Sequence, residues 1–214
     1  MTDRFAEARH DVWVHARKMW QEGLVVASAG NVSRRVDDEL IAITPTSISY
    51  EIMTPDEVVI LDLATARAIE STRAPSYEMP LHQVIYMSRP DVQAVVHTHS
   101  PFVTTLSVLR RPLPPVIDEM MMYFGGAVEV TDYAFTGTVQ VGVNAVEKLG
   151  DRAGVILSNH GNVCIGRDLA RALHVAVTME STARVYVQAM AIGEPVPLPD
   201  WAIAQGRRMY EERG

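Results

Sequence analysis

Cysteine is almost missing from this chain. Cys164 is the only one in 214 residues, which excludes an internal disulfide framework and leaves nothing from which to build a cysteine-rich zinc finger. No stretch approaches the roughly 18 consecutive apolar residues that span a bilayer. The opening MTDRFAEARHD alternates charged and apolar residues where a secretory signal needs an unbroken apolar core. A reducing, cytoplasmic setting with no membrane partner is therefore expected. Positive charge is also scarce: 19 Lys+Arg against 26 Asp+Glu leave a net charge of −7. Basic residues gather only into pairs such as Arg34-Arg35, Arg110-Arg111 and Arg207-Arg208. That gives no electrostatic footprint for nucleic acid, and a small polar ligand fits better.

What is present suits one folded domain. With 48% hydrophobic and 21% charged residues, a chain of this length buries about 70% of its unfolded surface and needs no covalent staple. Phe5, Ala8, Val12, Ala16, Met19 and Trp20 recur at three- and four-residue steps, predicting an amphipathic helix from Arg4 to Glu22 that Gly23 ends. Turn residues frame two strands, Asn31–Val36 and Leu40–Thr44, with Asp37-Asp38 between them. Thr54-Pro55-Asp56-Glu57 reads as a cap and first turn, and Val58–Leu61 as a buried strand. Helices are predicted from about Tyr77 to Ser88, from Pro101 to about Leu109 and at Asp118–Phe124, with strands at Ala94–His99, Val128–Val130, Gly154–Ser158 and Val163–Ile165. Asp168 caps the longest periodic segment, Leu169–Met190. Beyond the proline-bearing EPVPLPDW, Trp201–Arg213 is expected as a last helix, docked weakly or on a neighbouring subunit. Hairpins mixed among helices favour an α/β fold with a mainly antiparallel sheet over a doubly wound parallel one.

The chemistry-bearing residues begin with Val95-Val96-His97-Thr98-His99. Residues two apart in a strand share a face, so His97 and His99 present paired imidazoles at the end of an apolar run. Imidazole suits zinc and similar divalent ions, and a zinc site that does chemistry needs about three protein ligands and an open position. An isolated H-x-H is often a chance pair. A second strand-terminal histidine, His160 in Ser158-Asn159-His160-Gly161, strengthens the case as a third ligand. His10 and His15 are expected at the surface of the first helix and His174 at the edge of the long one. Glu78, at a helix start after Ala74-Pro75-Ser76, suits either a fourth ligand or a general base, and equally an ordinary N-terminal glutamate favoured by the helix dipole. His82 lies four residues on and is able to share its face.

Together these residues resemble the class II aldolase/adducin family, and within it the bacterial L-fuculose-1-phosphate aldolase group. The matching stretches are Ser28-Ala29-Gly30-Asn31-Val32-Ser33, Ile43-Thr44-Pro45-Thr46, Ser76-Tyr77-Glu78 with His82, Val95–His99 and Asn159-His160-Gly161, in family order and spacing. The resemblance implies a three-layer α/β/α fold around a mainly antiparallel sheet, in one domain over residues 1–214 with 194–214 as a tail near a subunit interface. It implies a homotetramer with active sites between subunits. It also implies zinc, or another divalent ion such as Mn2+ or Co2+, held by His97, His99 and His160. Glu78 is then the resting fourth ligand and the acid/base in turnover, and Gly30, Asn31, Thr46, Ser47, Ser76 and Tyr77 form the phosphate-binding set. The implied reaction cleaves a ketose 1-phosphate to dihydroxyacetone phosphate and an aldehyde through a metal-stabilised enediolate.

The chain departs from that pattern in places. Fuculose phosphate aldolases have glycine where Ser47 stands and a second serine where Tyr77 stands. They place a catalytic tyrosine where this chain reads Val116-Ile117-Asp118-Glu119, which offers Asp118 and Glu119 instead, with Tyr123 a turn beyond. Of the tail aromatics that complete a neighbour's site in that group, Tyr210 is the one counterpart. Sibling activities on the same scaffold are the alternatives: pentulose phosphate 4-epimerase, sugar-acid phosphate decarboxylase and methylthioribulose phosphate dehydratase. The epimerases carry aspartate at the place of Glu78. A non-catalytic adducin-like module lacks the ligands that this chain keeps.

Overall fold

The computed structural model describes residues 4–212. In chain order, the described residues form α1 (Ala6–Gln21), β1 (Asn31–Arg35), β2 (Leu40–Ile43), β3 (Val59–Asp62), β4 (Ala68–Glu70), α2 (Met79–Ser88), β5 (Ala94–Thr98), α3 (Pro101–Leu109), α4 (Asp118–Phe124), α5 (Val139–Leu149), β6 (Gly154–Leu157), β7 (Gly161–Gly166), α6 (Leu169–Ile192) and α7 (Asp200–Glu211). A short 3-10 turn, Pro55–Glu57, opens on Thr54, whose side chain and backbone form a reciprocal cap with Glu57.

The strands make one sheet in the order β4-β3-β2-β1-β5-β7-β6, every neighbouring pair antiparallel. On β1, the Ser33 hydroxyl meets His82 and Tyr86 of α2, while the next residue, Arg34, pairs with Asp11 of α1 at 2.9 Å. Successive strand residues point to opposite faces, so α1 and α2 cover opposite sides. Helix α6 joins α1 over β5 and β7, and α5 packs on α2. The fold is therefore α/β, with helices on both sides of an antiparallel sheet. Double coverage explains why β2, β3 and β5 read as unbroken apolar runs rather than alternating ones: every residue of β2 and β5 is buried.

Several sequence expectations need correction. Val128–Val130 is not a strand: Val128 bridges Leu113 and Val130 bridges Ile156, two isolated pairings to different partners. Helix α5 was not anticipated, because Val139, Val141 and Val143 alternate like a strand while its inward stripe is Val141, Gly142, Ala145 and Leu149. The edge strand β4, exposed throughout, carried no pattern at all. His15 is buried rather than on the surface: it falls on the inner stripe of α1, its Nδ1 3.0 Å from Asp11 Oδ1, whereas His10 is exposed. The last helix ends at Glu211, and Arg213, where the sequence put its end, lies outside the described residues. That helix docks on its own chain: Gly206 is buried against Met121 of α4, Arg207 donates to the Gly125 carbonyl and pairs with Asp151, and the Tyr210 hydroxyl donates to the Asp151 carbonyl at 3.1 Å.

Among the described residues no helix is long and apolar enough to cross a membrane. Cys164 is buried on β7, and burial pushes its thiol up to about 12, far from a reactive thiolate at neutral pH.

Candidate active site

Four side chains from three places in the chain meet at one end of the sheet. His97 lies on β5 and His99 just past its end. His160 sits in the β6–β7 turn, and Glu78 caps α2. Each offers one ligand atom, and those atoms lie within 4.8 Å of one another.

Local sequence explains the convergence. Asn31 of β1 stands opposite His97 in the ladder, and Val163 of β7 flanks it on the other side. At Gly30, with φ +69, a Cβ would lie 2.5 Å from the His97 carbonyl oxygen, so only glycine admits this loop against β5. Gly161 likewise lies so close to the Thr98 carbonyl that a side chain cannot fit, and this brings His160 up to the other histidines. The turn is stapled from outside: Asn159 and His160 donate their backbone N–H groups to the Ser107 carbonyl and hydroxyl of α3, at 3.1 and 3.2 Å. Glu180 of α6 fixes α3 in turn, accepting from the Phe102 and Val103 N–H groups at its N-terminus. The segment before Glu78 is tied to the exit of β2, with Ser76 N donating to the Thr44 carbonyl and Thr46 N to the Ala74 carbonyl.

The three imidazoles pack edge to face with centroids 4.7–4.8 Å apart. His97 Nε2 is 2.9 Å from His99 Nε2 and 3.1 Å from Glu78 Oε2, and His160 Nε2 is 2.9 Å from Glu78 Oε1. Those spacings approach the edge of about 3.3 Å expected of a tetrahedron with zinc–nitrogen bonds of about 2.0 Å. The His97 Nδ1–H donates to the Asn162 carbonyl at 2.8 Å, which commits that nitrogen and leaves Nε2 as the one that faces the cluster and would ligate an ion. Burial alone would raise the Glu78 carboxyl, but the charge of His97 and hydrogen bonds from His160 and His97 outweigh it and hold the group well below the carboxylate range. For His97, burial works downward, and the Glu78 charge and hydrogen bond reverse it to a net rise. Burial and the neighbouring histidine charges push His99 down to about 3. An anion ringed by three imidazoles calls for one positive charge at their centre, and this donor set fits a divalent ion of borderline softness.

Behind the cluster runs a buried relay whose polarity can be worked out. A carboxylate only accepts, so Asn31 Nδ2 is the donor in its 2.8 Å bond to Glu78 Oε2, which leaves Asn31 Oδ1 to accept from His82 Nε2–H. His82 Nδ1 then accepts from the Ser33 hydroxyl at 2.6 Å, and Ser33 accepts from the Tyr86 hydroxyl at 2.9 Å. His82 is therefore no ligand. It is the neutral link that orients Asn31, and burial, helped by the charge of His97, lowers it to about 3.

A stability consequence follows. A histidine at about 3 in the folded state and 6.5 when unfolded contributes fully above pH 6.5 and loses that contribution as pH falls toward 3. Between pH 6.5 and 5 the native protein is expected to lose up to about 2 kcal/mol more than a His82→Gln variant. Urea unfolding across that range is the check, and parallel pH profiles would contradict it.

A cavity of about 320 Å³ opens beside the cluster, lined by Gly30, Asn31, Thr46, Ser47, Ser76 and Tyr77 together with Glu78, His99 and His160. Ser47 has φ +58, the left-handed backbone in which glycine is relaxed. The buried Tyr50 hydroxyl donates to the Gly30 carbonyl and holds this loop down. Tyr77 turns from the loop and donates to the Thr136 carbonyl at 3.1 Å.

Within one chain the remaining candidates lie elsewhere. Asp118 and Glu119 are exposed on the first turn of α4. Tyr123 stacks edge-on against His174 at 4.4 Å, under the Arg171 guanidinium, and Tyr210 is on α7. Sequence reasoning missed Thr136, whose hydroxyl donates to Glu78 Oε1 at 2.7 Å. It is one hydroxyl among several in a loop, with no periodicity to single it out. Ser33 and Tyr86 were missed because a hydroxyl on a strand or helix carries no mark of its partner in the sequence.

Comparison with known proteins accords with this geometry. Residues 10–187 match the family model described as Class II Aldolase and Adducin N-terminal domain. The chain belongs to this family and is a class II aldolase, a carbon–carbon lyase. It is 34% identical over 207 residues to the 5-deoxy-D-ribulose 1-phosphate aldolase of Bacillus thuringiensis serovar kurstaki, covering 96% of each chain. It is 36% identical over 191 residues to the 5-methylthioribulose-1-phosphate/5-deoxyribulose-1-phosphate aldolase of Rhodospirillum rubrum, covering 89% of this chain and 85% of that one. A solved L-fuculose 1-phosphate aldolase superposes with a TM-score of 0.90 at 30% identity over 96% of each chain.

Proposed function

We propose that this chain is a zinc-dependent aldolase, with Mn2+ or Co2+ as substitutes, that cleaves or forms a ketose 1-phosphate of the L-fuculose or 5-deoxyribulose type. The products of cleavage are dihydroxyacetone phosphate and a short aldehyde. The observation that carries this reading is the set of four ligand atoms within 4.8 Å, opening on a cavity rich in hydroxyls. The names of the relatives support the substrate class.

His97, His99 and His160 would hold the cation, with Glu78 beside them. When bound, the ion supplies a fixed positive charge that stabilises the negative charge developing on the substrate oxygens as the carbon–carbon bond breaks. Glu78 moves the proton. In the direction of synthesis its carboxylate takes a proton from the carbon next to the carbonyl of dihydroxyacetone phosphate, leaving an electron pair that attacks the aldehyde. The alkoxide left on the former aldehyde oxygen takes up a proton from solvent, and Glu78 gives its own back to solvent. In cleavage these transfers reverse: the hydroxyl beside the scissile bond loses its proton to solvent, the bond breaks to aldehyde and enediolate, and the Glu78 carboxyl, protonated from solvent, delivers a proton to the enediolate carbon. Asn31, set by the His82 relay, keeps the carboxylate aimed during both transfers. Backbone N–H groups and hydroxyls of the Gly30–Asn31 loop, Thr46, Ser47 and Ser76 would anchor the phosphate, so that binding energy remote from the reacting carbon positions it. Tyr77, engaged with Thr136, would close the side of that site.

We further place Asp118, Glu119, Tyr123 and Tyr210 at an interface of a homotetramer, where a neighbour's α4 and α7 would face this cavity. Loss of Asp118 or Glu119 then alters aldehyde preference, and unchanged rates with every aldehyde would remove that part of the reading.

The experiment is product analysis on a panel of ketose 1-phosphates with the zinc-loaded protein. Equal amounts of dihydroxyacetone phosphate and aldehyde are expected from at least one of them. An epimer, carbon dioxide or a dehydrated ketone in place of dihydroxyacetone phosphate would overturn the proposal in favour of a sibling activity.

A further inference from the structure

The Glu78 carboxylate is held by more than its histidine neighbours. A carboxylate offers about four lone-pair sites. Here the Thr136 hydroxyl occupies one on Oε1 at 2.7 Å and Asn31 Nδ2 occupies one on Oε2 at 2.8 Å. The sites that remain are directed at His160 and His97. The two neutral donors come from unrelated parts of the fold, β1 and the loop before α5, and they grip opposite oxygens. A carboxylate gripped in this way keeps its plane and direction when it gains or gives up a proton.

The loop that carries Thr136 is itself fastened to the segment bearing Glu78. The Tyr77 hydroxyl donates to the Thr136 carbonyl at 3.1 Å. Gly137, at φ +76, lies directly under the Tyr77 ring, where any side chain would collide with it. Residue 77 therefore grips the backbone of residue 136 while the side chain of residue 136 grips residue 78. The Thr138 hydroxyl closes the turn by donating to the Phe135 carbonyl at 2.7 Å.

From this geometry we propose that Thr136 is a positioning residue of the proton-transfer step: its hydroxyl fixes the Glu78 carboxylate, and Tyr77 clasps the loop that presents it. The proposal rests on the reading of Glu78 as acid/base and metal neighbour, and it gives Tyr77 a role other than phosphate binding.

The test compares Thr136→Val, which keeps the shape and removes the hydroxyl, with Thr136→Ser, which keeps the hydroxyl. Two quantities are read: kcat and KM on a ketose 1-phosphate that the native enzyme cleaves, and the rate at which zinc is lost to a chromophoric chelator. Partners just outside a metal site cost about 10- to 100-fold in activity or affinity when removed. Thr136→Val is expected to lower kcat by about 10- to 100-fold with KM within about twofold, and to speed zinc loss by about 10-fold. Thr136→Ser should restore both to within about threefold of native. Tyr77→Phe, which frees the loop without touching Glu78, should fall between them. Native kcat and native zinc loss in Thr136→Val would overturn the proposal, as would a serine variant no better than valine. Glu78→Gln, run alongside, separates the two readings. If that variant turns over normally, the acid/base reading has failed on its own account, and the chelator measurement still decides whether Thr136 fixes the carboxylate.

Discussion

Glu78→Gln is expected to keep about one divalent ion per chain after gel filtration and to lose about 100- to 10,000-fold in kcat, the usual worth of a positioned acid/base. The substitution is close to isosteric, and the three histidines that would hold the ion are untouched. What changes is the ability to carry a proton, and the hydrogen-bond pattern as well. Thr136 and Asn31 both donate to the native carboxylate, so the amide oxygen has to face Asn31 and the Thr136 hydroxyl has to turn round and accept from the amide NH2. KM for the ketose phosphate should change little, because the hydroxyl-lined part of the cavity is intact. Steady-state kinetics together with metal analysis give the answer, and a glutamine variant that turns over at the native rate would remove Glu78 from the chemistry.

His97→Ala is expected to abolish both metal retention and turnover. His97 is fully buried on β5, an inner strand, its Nδ1 is committed to the Asn162 carbonyl, and its Nε2 touches both His99 and Glu78. Removing it takes away a ligand and leaves Glu78 without the neighbour that does most to keep it ionised. His99, less deeply placed and one residue past the end of β5, gives the cleaner variant: His99→Ala should fold normally and still lose its ion. Metal content by plasma emission, with circular dichroism to confirm folding, distinguishes loss of ligand from loss of structure. A folded His99→Ala protein that keeps a full complement of zinc would contradict the ligand set.

The legible part of the site was the part with strong chemistry and short reach. His97 and His99 share a strand face by the period of two, and both reach the cluster. Glu78 and His160 were recognisable as residues at the ends of elements, where side chains are free to converge. What stayed hidden depends on tertiary partners. His82 reads as a neighbour of the ligands, yet in the fold its ring is bonded to Asn31 and Ser33 of β1. Thr136 has no local pattern, and only the folded loop brings its hydroxyl to Glu78. Tyr123 and Tyr210 pack within one chain against His174 and Asp151, and any reach to a neighbour's cavity would come from the assembly, which no local pattern encodes. In the fold as a whole, most of the sheet and most helices followed from periodicity and turn residues, but not β4, and Val128–Val130 is no strand. Helix α5 did not, because its valines mimic a strand, and His15 did not, because a wide inner stripe on α1 takes in a polar residue.

Anomalous diffraction at the zinc edge, on crystals of the zinc-loaded protein, tests the central claim most directly. One peak per chain is expected, within bonding distance of about 2.0–2.1 Å of a ring nitrogen from each of His97, His99 and His160. A peak bound elsewhere, or one that any of these three imidazoles turns away from, would contradict the account.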